Sequence, residues 1–403
     1  MKSPTSIYFQ RYAYPDLDHA PMNKDMDMII VIPCYKEPDI LTCLRSIHNC
    51  SSTLKFCVLV VINDREHDST ETRAMSQKTL DDIHANSEGF NFPIFTRHVT
   101  LPTKKAGVGL ARKIGMDQAA LWFHQLDKNG IIVCYDADCE CDHNYLVEID
   151  QFYKNPKHKV GIVSYAHPLE TSEIIQYESH LRYHIDAQHC AGYPYAFQTL
   201  GSCITLRSET YCKYGGMNTR KAGEDFYFLH KLALSEKIGR ITQARVIPSS
   251  RVSDRVPFGT GRAIGSSTSE SELTTYNPDI YACLQQWIPH LPAYFKNDIQ
   301  APSPIQEFLT REAFDETVLS LRKKSNTATT FTKHIHAWLD GFQLMKLTHY
   351  LRDQFYPNVP VSLALGWLND KLWNIQGFDE LDPRGKLQAI RTYEHQLDVK
   401  RTQ

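Results

Sequence analysis

Two aspartates, Asp136 and Asp138, are the residues of this chain best suited to chemistry. They follow the apolar run 131–135. A short apolar run followed by acids is typical of a buried strand that delivers carboxylates to a sheet edge. Side chains two positions apart on an extended strand share a face, so these carboxylates repel each other unless a cation lies between them. Carboxylate oxygens suit Mg²⁺ or Mn²⁺, and such an ion commonly bridges a protein to phosphates. A capped turn is the structural alternative.

Polar groups follow two further apolar runs in the same way. The loop 33–37 comes after the run 28–32, and Asn63 with Asp64 comes after the run 56–62. In sheets built from parallel strands, ligands bind beyond the carboxyl ends of the strands. We therefore expect all three polar groups at one sheet edge, where a nucleotide would bind.

The elements that must position these groups are alternating strands and helices. Such alternation predicts an α/β domain with a mostly parallel sheet and helices on both faces. The predicted strands are 28–32, 56–62, 93–99, 131–135 and 160–165. We assign residues 1–262 to this domain, with residues 1–26 as an arm or as packing against it. The glycine- and serine-containing stretch 265–269 predicts a linker or loop, and residues 263–403 predict a mainly helical region with helices near 304–323, 330–355 and 384–396.

Composition excludes several classes of protein. The 403 residues are 42% apolar and 22% charged, as in globular proteins, and the net charge of −2 gives no field that would attract nucleic acid. The 11 cysteines show no spaced framework, which indicates a reducing cytosol. No signal peptide or membrane span is visible, so we expect a cytoplasmic protein, with contact to the inner membrane face left open.

The motifs of residues 27–240 resemble those of family 2 nucleotide-sugar glycosyltransferases, which have the GT-A fold. The resemblance rests on six motifs in the family's order: the strand and loop 30–37, Asn63-Asp64 with Asp68-Ser69-Thr70, the glycine-rich segment 105–115, Asp136-Ala137-Asp138, Gly201-Ser202 through Arg207 with Gly215-Gly216-Met217, and Gly223-Glu224-Asp225. Asn63 stands where the family often has another acid. The tryptophan motif of processive members is missing after Asp225, which argues against a polymerising synthase.

The resemblance implies displacement of a nucleoside diphosphate from a sugar by an acceptor hydroxyl. Asp138 would ligate a divalent metal, Mn²⁺ or Mg²⁺, and Asp136 would contact the ribose or sugar and assist the metal. Asp225 would be the catalytic base, since an inverting transferase needs a base opposite the leaving group. Glu224 would bind acceptor hydroxyls or orient Asp225. A cap for the following helix is the alternative for both acids, and the two roles are compatible.

The resemblance also implies the remaining contacts to donor and acceptor. The nucleotide-binding candidates are Pro33, Tyr35, Glu37, Asn63, Asp64, Lys105, Arg112 and Asp136. Packing is the alternative for Tyr35, a turn for Asn63 and Asp64, and a solvated helix face for Lys105 and Arg112. Arginines and glycines between 251 and 262 suit a loop that closes over diphosphate, with Arg251, Arg255 and Arg262 as candidates, and a surface loop with ordinary salt bridges is the alternative. The acceptor candidates are Gly201, Ser202 and Tyr195, although the aromatic stretch around Tyr195 also suits a core.

Two possible zinc sites are set aside. Cys139 and Cys141 with His143 lack a second cysteine pair at zinc spacing, and the pair His180 and His184 lacks a nearby His-Glu signature.

The sequence therefore predicts a metal-dependent, inverting transfer of one sugar. The donor would be a UDP- or GDP-sugar, and the acceptor a hydroxyl of a glycan, a glycolipid or a small glycoside. A retaining transferase that makes a small solute and a catalytically silent sugar-nucleotide-binding scaffold are the alternatives. The oligomeric state stays open.

Overall fold

The computed structural model describes residues 3–20, 22, 24–251 and 272–402, and these form two compact units. The first unit comprises the described residues of 1–168, 199–265 and 398–403, and the second comprises those of 169–198 and 266–397. The domain boundary predicted at 262/263 and the predicted linker 265–269 lie outside the described residues. That boundary stays a prediction.

Eight strands of the first unit form one sheet. They are β1 (Met28–Cys34), β2 (Phe56–Arg65), β3 (Ile94–Leu101), β4 (Ile131–Cys134), β5 (Glu140–Cys141), β6 (Val160–Tyr165), β7 (Ile204–Arg207) and β8 (Ile238–Ile247), in the order β3-β2-β1-β4-β7-β6-β8-β5. β1 to β4 run parallel to one another, and β7 runs antiparallel to its two neighbours, β4 and β6. The α/β class with a mostly parallel sheet is confirmed, and so are the five predicted strands.

Strand register brings the carboxyl ends of the central strands to one edge. Cys34 of β1 pairs with Ile62 of β2, and Val31 pairs with Cys134 at the end of β4. Each of these strands is buried almost throughout, because helices cover both faces of a parallel sheet. The polar residues at or just beyond the carboxyl ends of these three strands therefore lie along one edge, as the sequence predicts.

Seven helices accompany this sheet within the described part of the first unit. They are α1 (Pro4–Arg11), α2 (Ile40–His48), α3 (Thr70–Asn86), α4 (Val108–Gln125), α5 (Tyr145–Tyr153), α7 (Ser208–Lys213) and α8 (Glu224–Ala233), while α6 (Ser172–Cys190) belongs to the second unit. α4 is buried from Gly109 to Phe123, since it contacts β1 and β2 on one side and α7 on another.

The N-terminal helix α1 is held against α4 by a buried charge. Asp117 is fully buried, and its carboxylate accepts hydrogen bonds from the hydroxyls of Tyr8 and Tyr211, both at 2.5 Å. The ammonium of Lys113 lies 3.0 Å from Asp117 and also donates to the Tyr8 hydroxyl at 2.7 Å. The backbone N–H of Tyr14 donates to the same carboxylate at 2.7 Å. The N-terminal segment is thus part of the packed unit.

Replacing Asp117 with asparagine is expected to lower the free energy of unfolding by about 3–5 kcal/mol, because Lys113 keeps a buried charge without its counter-ion. Tyr8→Phe removes one hydrogen bond and should cost about 1–2 kcal/mol. Urea denaturation of the two variants and of the unchanged protein measures both effects. An Asp117→Asn protein within about 0.5 kcal/mol of the unchanged protein would contradict the assignment.

The second unit is mainly helical and has its own apolar core. Its elements, besides α6, are β9 (Thr274–Thr275), α9 (Pro278–Gln285), α10 (Ser303–Arg311), α11 (Phe314–Lys324), α12 (Ala328–Trp338), α13 (Gly341–Gln354), β10 (Val359–Pro360), α14 (Val361–Leu368) and α15 (Pro383–Thr402). The helical C-terminal region is therefore confirmed. The helix predicted over 304–323 is divided at Ala313, whose φ is 50°, and the one over 330–355 is divided at Asp340, which caps α13 by accepting from Gln343 N–H.

None of the helices in the described ranges combines the length and the apolar character that a membrane-spanning segment needs.

Candidate active site

Asp136 and Asp138 lie in a turn at the end of β4 rather than on the strand. β4 ends at Cys134, and the N–H of Cys139 donates to the carbonyl of Asp136 at 3.1 Å, which closes the turn. The argument from an extended strand, with both carboxylates on one face, is therefore wrong, because the strand ends two residues before the first acid. The side chains are 35% and 24% exposed, so both carboxylates remain accessible at the sheet edge.

The buried guanidinium of Arg112 connects the turn to the second acidic motif. Arg112 lies on α4 and is 1% exposed. Its Nη2 donates to Asp136 Oδ1 at 2.8 Å, and its Nε lies 3.5 Å from Glu224 Oε1. Burial alone lowers the pKa of Arg112, but Asp136 and Glu224 raise it more, so the group stays cationic. One positive charge therefore lies between the two motifs, which are far apart in the sequence.

Glu224 and Asp225 form the first turn of α8. Glu224 is 2% exposed, and burial raises its pKa while the charge of Arg112 limits the rise. Burial, and then the negative charge of Glu224, raises the pKa of Asp225 from 3.8 to about 7. Asp225 Oδ1 accepts from the N–H of Phe226 at 2.7 Å. Both acids therefore lie at the helix start, but the N-cap residue is Gly223 and neither acid makes the N-cap hydrogen bond, so the cap suggested for them is wrong. Their position is compatible with a carboxylate that exchanges protons near neutral pH.

Two glycines of the predicted motifs make this proximity possible. A Cβ atom placed on Gly109 would lie 2.2 Å from the carbonyl oxygen of Arg220 and 2.9 Å from Glu224 Cβ. A Cβ atom on Gly201 would lie 2.1 Å from Arg112 Nη1. Gly109 thus lets the loop before α8 approach α4, and Gly201 leaves room for the guanidinium.

Arg251 joins two other predicted site residues. Its guanidinium donates to both carboxylate oxygens of Glu37, with Nη1 to Oε1 at 3.0 Å, and its Nη2 lies 3.4 Å from Asp138 Oδ2. Glu37 is 2% exposed, so its bond to Arg251 fixes a buried charge next to the turn. The hydrogen bond to Glu37, partly opposed by burial, raises the pKa of Arg251. Arg255 and Arg262, predicted with Arg251, lie outside the described residues.

Both carboxylate oxygens of Asp64 have hydrogen-bond partners within the protein. Its Oδ1 accepts from the hydroxyl of Ser76 at 2.5 Å, and its Oδ2 lies 2.7 Å from His98 Nε2. Asp64 and its neighbour Asn63 are buried inside β2, so the turn suggested for them is wrong. Their contact with a nucleotide base stays a prediction.

Tyr35 lies between a carboxylate and a cation. Its hydroxyl donates to Asp68 Oδ1 at 3.0 Å, and the Arg65 guanidinium lies 4.8 Å from the centre of its ring. Burial raises the pKa of Tyr35 to about 12. The residue that caps α3 is Ser69, and Asp68 instead accepts from the N–H of Arg65 at 2.8 Å. The sequence signal for these contacts of Tyr35 is the presence of opposite charges three positions apart, at Arg65 and Asp68.

The remaining candidates are dispersed. Lys105 is exposed, Pro33 is partly buried in β1, and Ser202 is buried in the turn before β7. Tyr195 lies in the second unit, where its ring contacts that of Tyr193 edge-on. Their roles toward donor or acceptor stay predictions.

The two histidines set aside as a zinc site are packing residues of the second unit. His180 Nδ1 bonds to the Thr275 hydroxyl and His184 Nδ1 to the Tyr281 hydroxyl, both at 2.6 Å. Burial lowers the pKa of His180 to about 4 and that of His184 to about 3.

A divalent ion fits the turn only as an ion shared with a substrate. Within the described ranges, no three His, Cys, Asp or Glu side chains are arranged to hold a metal by themselves. Mg²⁺, however, is usually bound through one or two carboxylates together with substrate phosphates. The hard, accessible oxygens of Asp136 and Asp138 meet that requirement.

Comparison with solved structures gives weak similarities. S. aureus TarS 1–349 in complex with UDP-GlcNAc is 14% identical, with a TM-score of 0.41, over 93% of this chain and 92% of that chain. Its complex with UDP is also 14% identical, with a TM-score of 0.39, over 94% and 92%. The longer S. aureus TarS is 16% identical, with a TM-score of 0.38, over 92% and 55%. These low TM-scores carry no argument about this chain.

Comparison with family models gives a defined match. Residues 29–211 match the model described as glycosyl transferase family 2, whereas a search of curated proteins finds no match. The matched segment holds β1 to β4 and the Asp136 turn, and its mostly parallel sheet with flanking helices agrees with the predicted GT-A fold. The segment 29–211 is therefore assigned to glycosyl transferase family 2, and the chain is a glycosyltransferase by class.

Proposed function

We propose that this protein transfers one sugar from a nucleoside-diphosphate sugar to an acceptor hydroxyl, with inversion at the anomeric carbon. The observation that carries the proposal is the buried Arg112 guanidinium, which contacts Asp136 on one side and Glu224, next to Asp225, on the other. Glycosyl transfer needs charge stabilisation for the leaving diphosphate and a base for the incoming hydroxyl. Candidate residues for both tasks lie next to the Arg112 guanidinium.

Asp225 is the proposed base. Its carboxylate accepts the proton of the acceptor hydroxyl as that oxygen bonds to the sugar. A pKa of about 7 supports this role, since a base works best when its pKa is close to the working pH. Glu224 stays next to Arg112 and orients Asp225, while Gly201, Ser202 and Tyr195 remain acceptor candidates.

Asp138 and Asp136 are the proposed ligands of a divalent metal. When bound, Mg²⁺ or Mn²⁺ supplies positive charge that stabilises the leaving diphosphate. Arg251 is held by Glu37 and offers a second cation near Asp138. The nucleoside would be bound by the other candidates at the carboxyl ends of the strands, namely Pro33, Tyr35, Asn63, Asp64 and Lys105.

The donor is proposed to be a UDP- or GDP-sugar. A cytoplasmic site of action, with contact to the inner face of the membrane, is a further proposal. The acceptor class stays a glycan, a glycolipid or a small glycoside.

A thermal-shift panel tests the donor and the metal together. We expect one of the UDP-, GDP- or CDP-sugars to raise the melting temperature only when Mn²⁺ is present, because binding to the folded state alone stabilises it. Asp138→Asn should abolish the shift. Glu140→Gln neutralises an exposed acid two residues away and should preserve it. NMR of the product then gives the anomeric configuration, and retention would refute inversion. A protein that binds a donor but neither transfers nor hydrolyses its sugar would favour the scaffold alternative.

A further inference from the structure

Cys50 and Cys141 form a close pair of free thiols that the reaction does not use. Their sulfur atoms lie 3.5 Å apart, within sulfur hydrogen-bonding distance. Cys50 follows α2, and Cys141 is the second residue of β5, three residues after Asp138. We propose that these two thiols form a reversible disulfide that controls the geometry of the Asp136 to Asp138 turn.

Backbone contacts already hold the two segments together. The N–H of Cys141 donates to the Ser46 hydroxyl at 2.8 Å, and the N–H of Ser51 donates to the carbonyl of His143 at 3.0 Å. A disulfide needs sulfur atoms about 2.05 Å apart, so the pair must close by only about 1.5 Å.

The pair is accessible to a small reagent. Cys141 is partly exposed, and Cys50 lines a pocket of about 520 Å³. Lys24 and Lys55 line the same pocket together with Asp25. Two lysines near a thiol favour approach of an anionic oxidant such as glutathione disulfide. The hydrogen bond from Cys50, partly opposed by burial, lowers the pKa of Cys141, which favours Cys141 as the first thiolate.

The chemistry is a balanced thiol–disulfide exchange. The Cys141 thiolate attacks one sulfur of the small disulfide, which forms a mixed disulfide and releases one thiolate. The Cys50 thiolate then attacks the Cys141 sulfur and releases the second. The two protons lost by Cys50 and Cys141 pass to the two released thiolates. The protein pair is oxidised by two electrons, and the small disulfide is reduced to two thiols.

Formation of the Cys50–Cys141 disulfide would act directly on the Asp136 to Asp138 turn. α2 contacts both ends of the segment from Asp136 to Cys141, since the Cys43 thiol donates to the Asp136 carbonyl at 3.6 Å and the Ser46 hydroxyl accepts from the N–H of Cys141. A shift of about 1 Å at a reacting group can cost about a hundredfold in rate. We therefore expect oxidation to lower turnover tenfold to a hundredfold, as in cytosolic disulfides that sense redox state. This effect on turnover rests on the proposed function, whereas the disulfide itself does not.

The test uses the full chain treated with glutathione disulfide, alkylated under denaturing conditions and mapped by mass spectrometry. We expect a peptide pair linked through Cys50 and Cys141, a fall in sugar transfer, and recovery of both after dithiothreitol. Cys141→Ser should keep its activity after the same treatment, whereas Cys50→Ser should stop at the mixed disulfide of Cys141 with glutathione. Cys190→Ser removes a partly exposed cysteine of α6 and should behave as the unchanged protein does.

Three results separate the possible failures. A folded, oxidised protein without the Cys50–Cys141 link overturns the proposal. If the Cys50–Cys141 disulfide forms completely and turnover does not change, the proposal that this disulfide controls the Asp136 to Asp138 turn is overturned. A reduced protein that turns over no donor refutes the proposed function, and the disulfide is then judged by peptide mapping alone.

Discussion

Asp225→Asn is expected to lower kcat by about 10²–10⁴, the usual contribution of a positioned acid or base. The amide keeps the size of the side chain but cannot accept the proton of the acceptor hydroxyl. Initial rates of sugar transfer, measured at saturating donor and acceptor, give the change in kcat. An Asp225→Asn protein with full turnover would end the assignment of the base.

The pH dependence gives an independent measure of the same residue. The pKa of Asp225 is raised to about 7 in the folded protein, and only the ionised form can accept a proton. We therefore expect kcat/KM to be constant above about pH 7 and to fall about tenfold per unit below it. Replacement by asparagine should remove this fall below pH 7 from the pH profile of the residual activity.

Stability should change in the opposite direction to activity. A carboxyl whose pKa is raised on folding stabilises the protein at low pH, and this contribution is lost as the pH rises from the ordinary value of 3.8 to about 7. Asp225→Asn removes the ionisation, so its melting temperature should exceed that of the unchanged protein at pH 8 and converge with it near pH 4. Glu71→Gln changes an exposed acid in the first turn of α3 and should leave both quantities unchanged. Loss of activity together with loss of stability at pH 8 would indicate a structural role for Asp225.

The sheet and the position of the site could be predicted because buried parallel strands have a distinct pattern. The apolar runs before Asn63 and Asp136 are continuous, as expected for strands covered on both faces. Acids at the ends of such runs then fall at one edge of the sheet. Local order along the chain was sufficient for this inference, and the family resemblance supplied the roles of the residues.

The internal contacts of the site could not be predicted because they join residues that are distant in the sequence. Nothing local indicates that Arg112 meets Glu224, or that Arg251 meets Glu37, since each pair is brought together only by the packing of separate elements. The end of β4 also escaped prediction. An apolar Tyr135 continues the strand pattern, but the strand already ends at Cys134.

Arg112→Gln is expected to lower the free energy of unfolding by about 3–5 kcal/mol and to remove most of the turnover. Glu224 is 2% exposed, so the loss of the guanidinium leaves a buried carboxylate without its cation. Arg112→Lys keeps the charge but loses the planar guanidinium that reaches both acids. Its stability and turnover should therefore lie between those of Arg112→Gln and those of the unchanged protein. Arg45→Gln removes an exposed arginine and should change stability by less than about 0.5 kcal/mol. Urea denaturation and initial rates check all three, and an Arg112→Gln protein with unchanged stability and turnover would contradict the role.

A double-mutant cycle with Gly201 then decides what that glycine does. An alanine Cβ at this position would lie 2.1 Å from Arg112 Nη1, so Gly201→Ala must displace the guanidinium from Asp136. In the Arg112→Lys background that nitrogen is gone, and the alanine should be tolerated better. The two changes should therefore be non-additive, with a coupling of about 0.5–3 kcal/mol in stability and in the activation free energy of transfer. Strict additivity, with an effect confined to the KM for acceptor, would instead make Gly201 part of the acceptor site and leave Arg112 to be positioned by its two carboxylates alone.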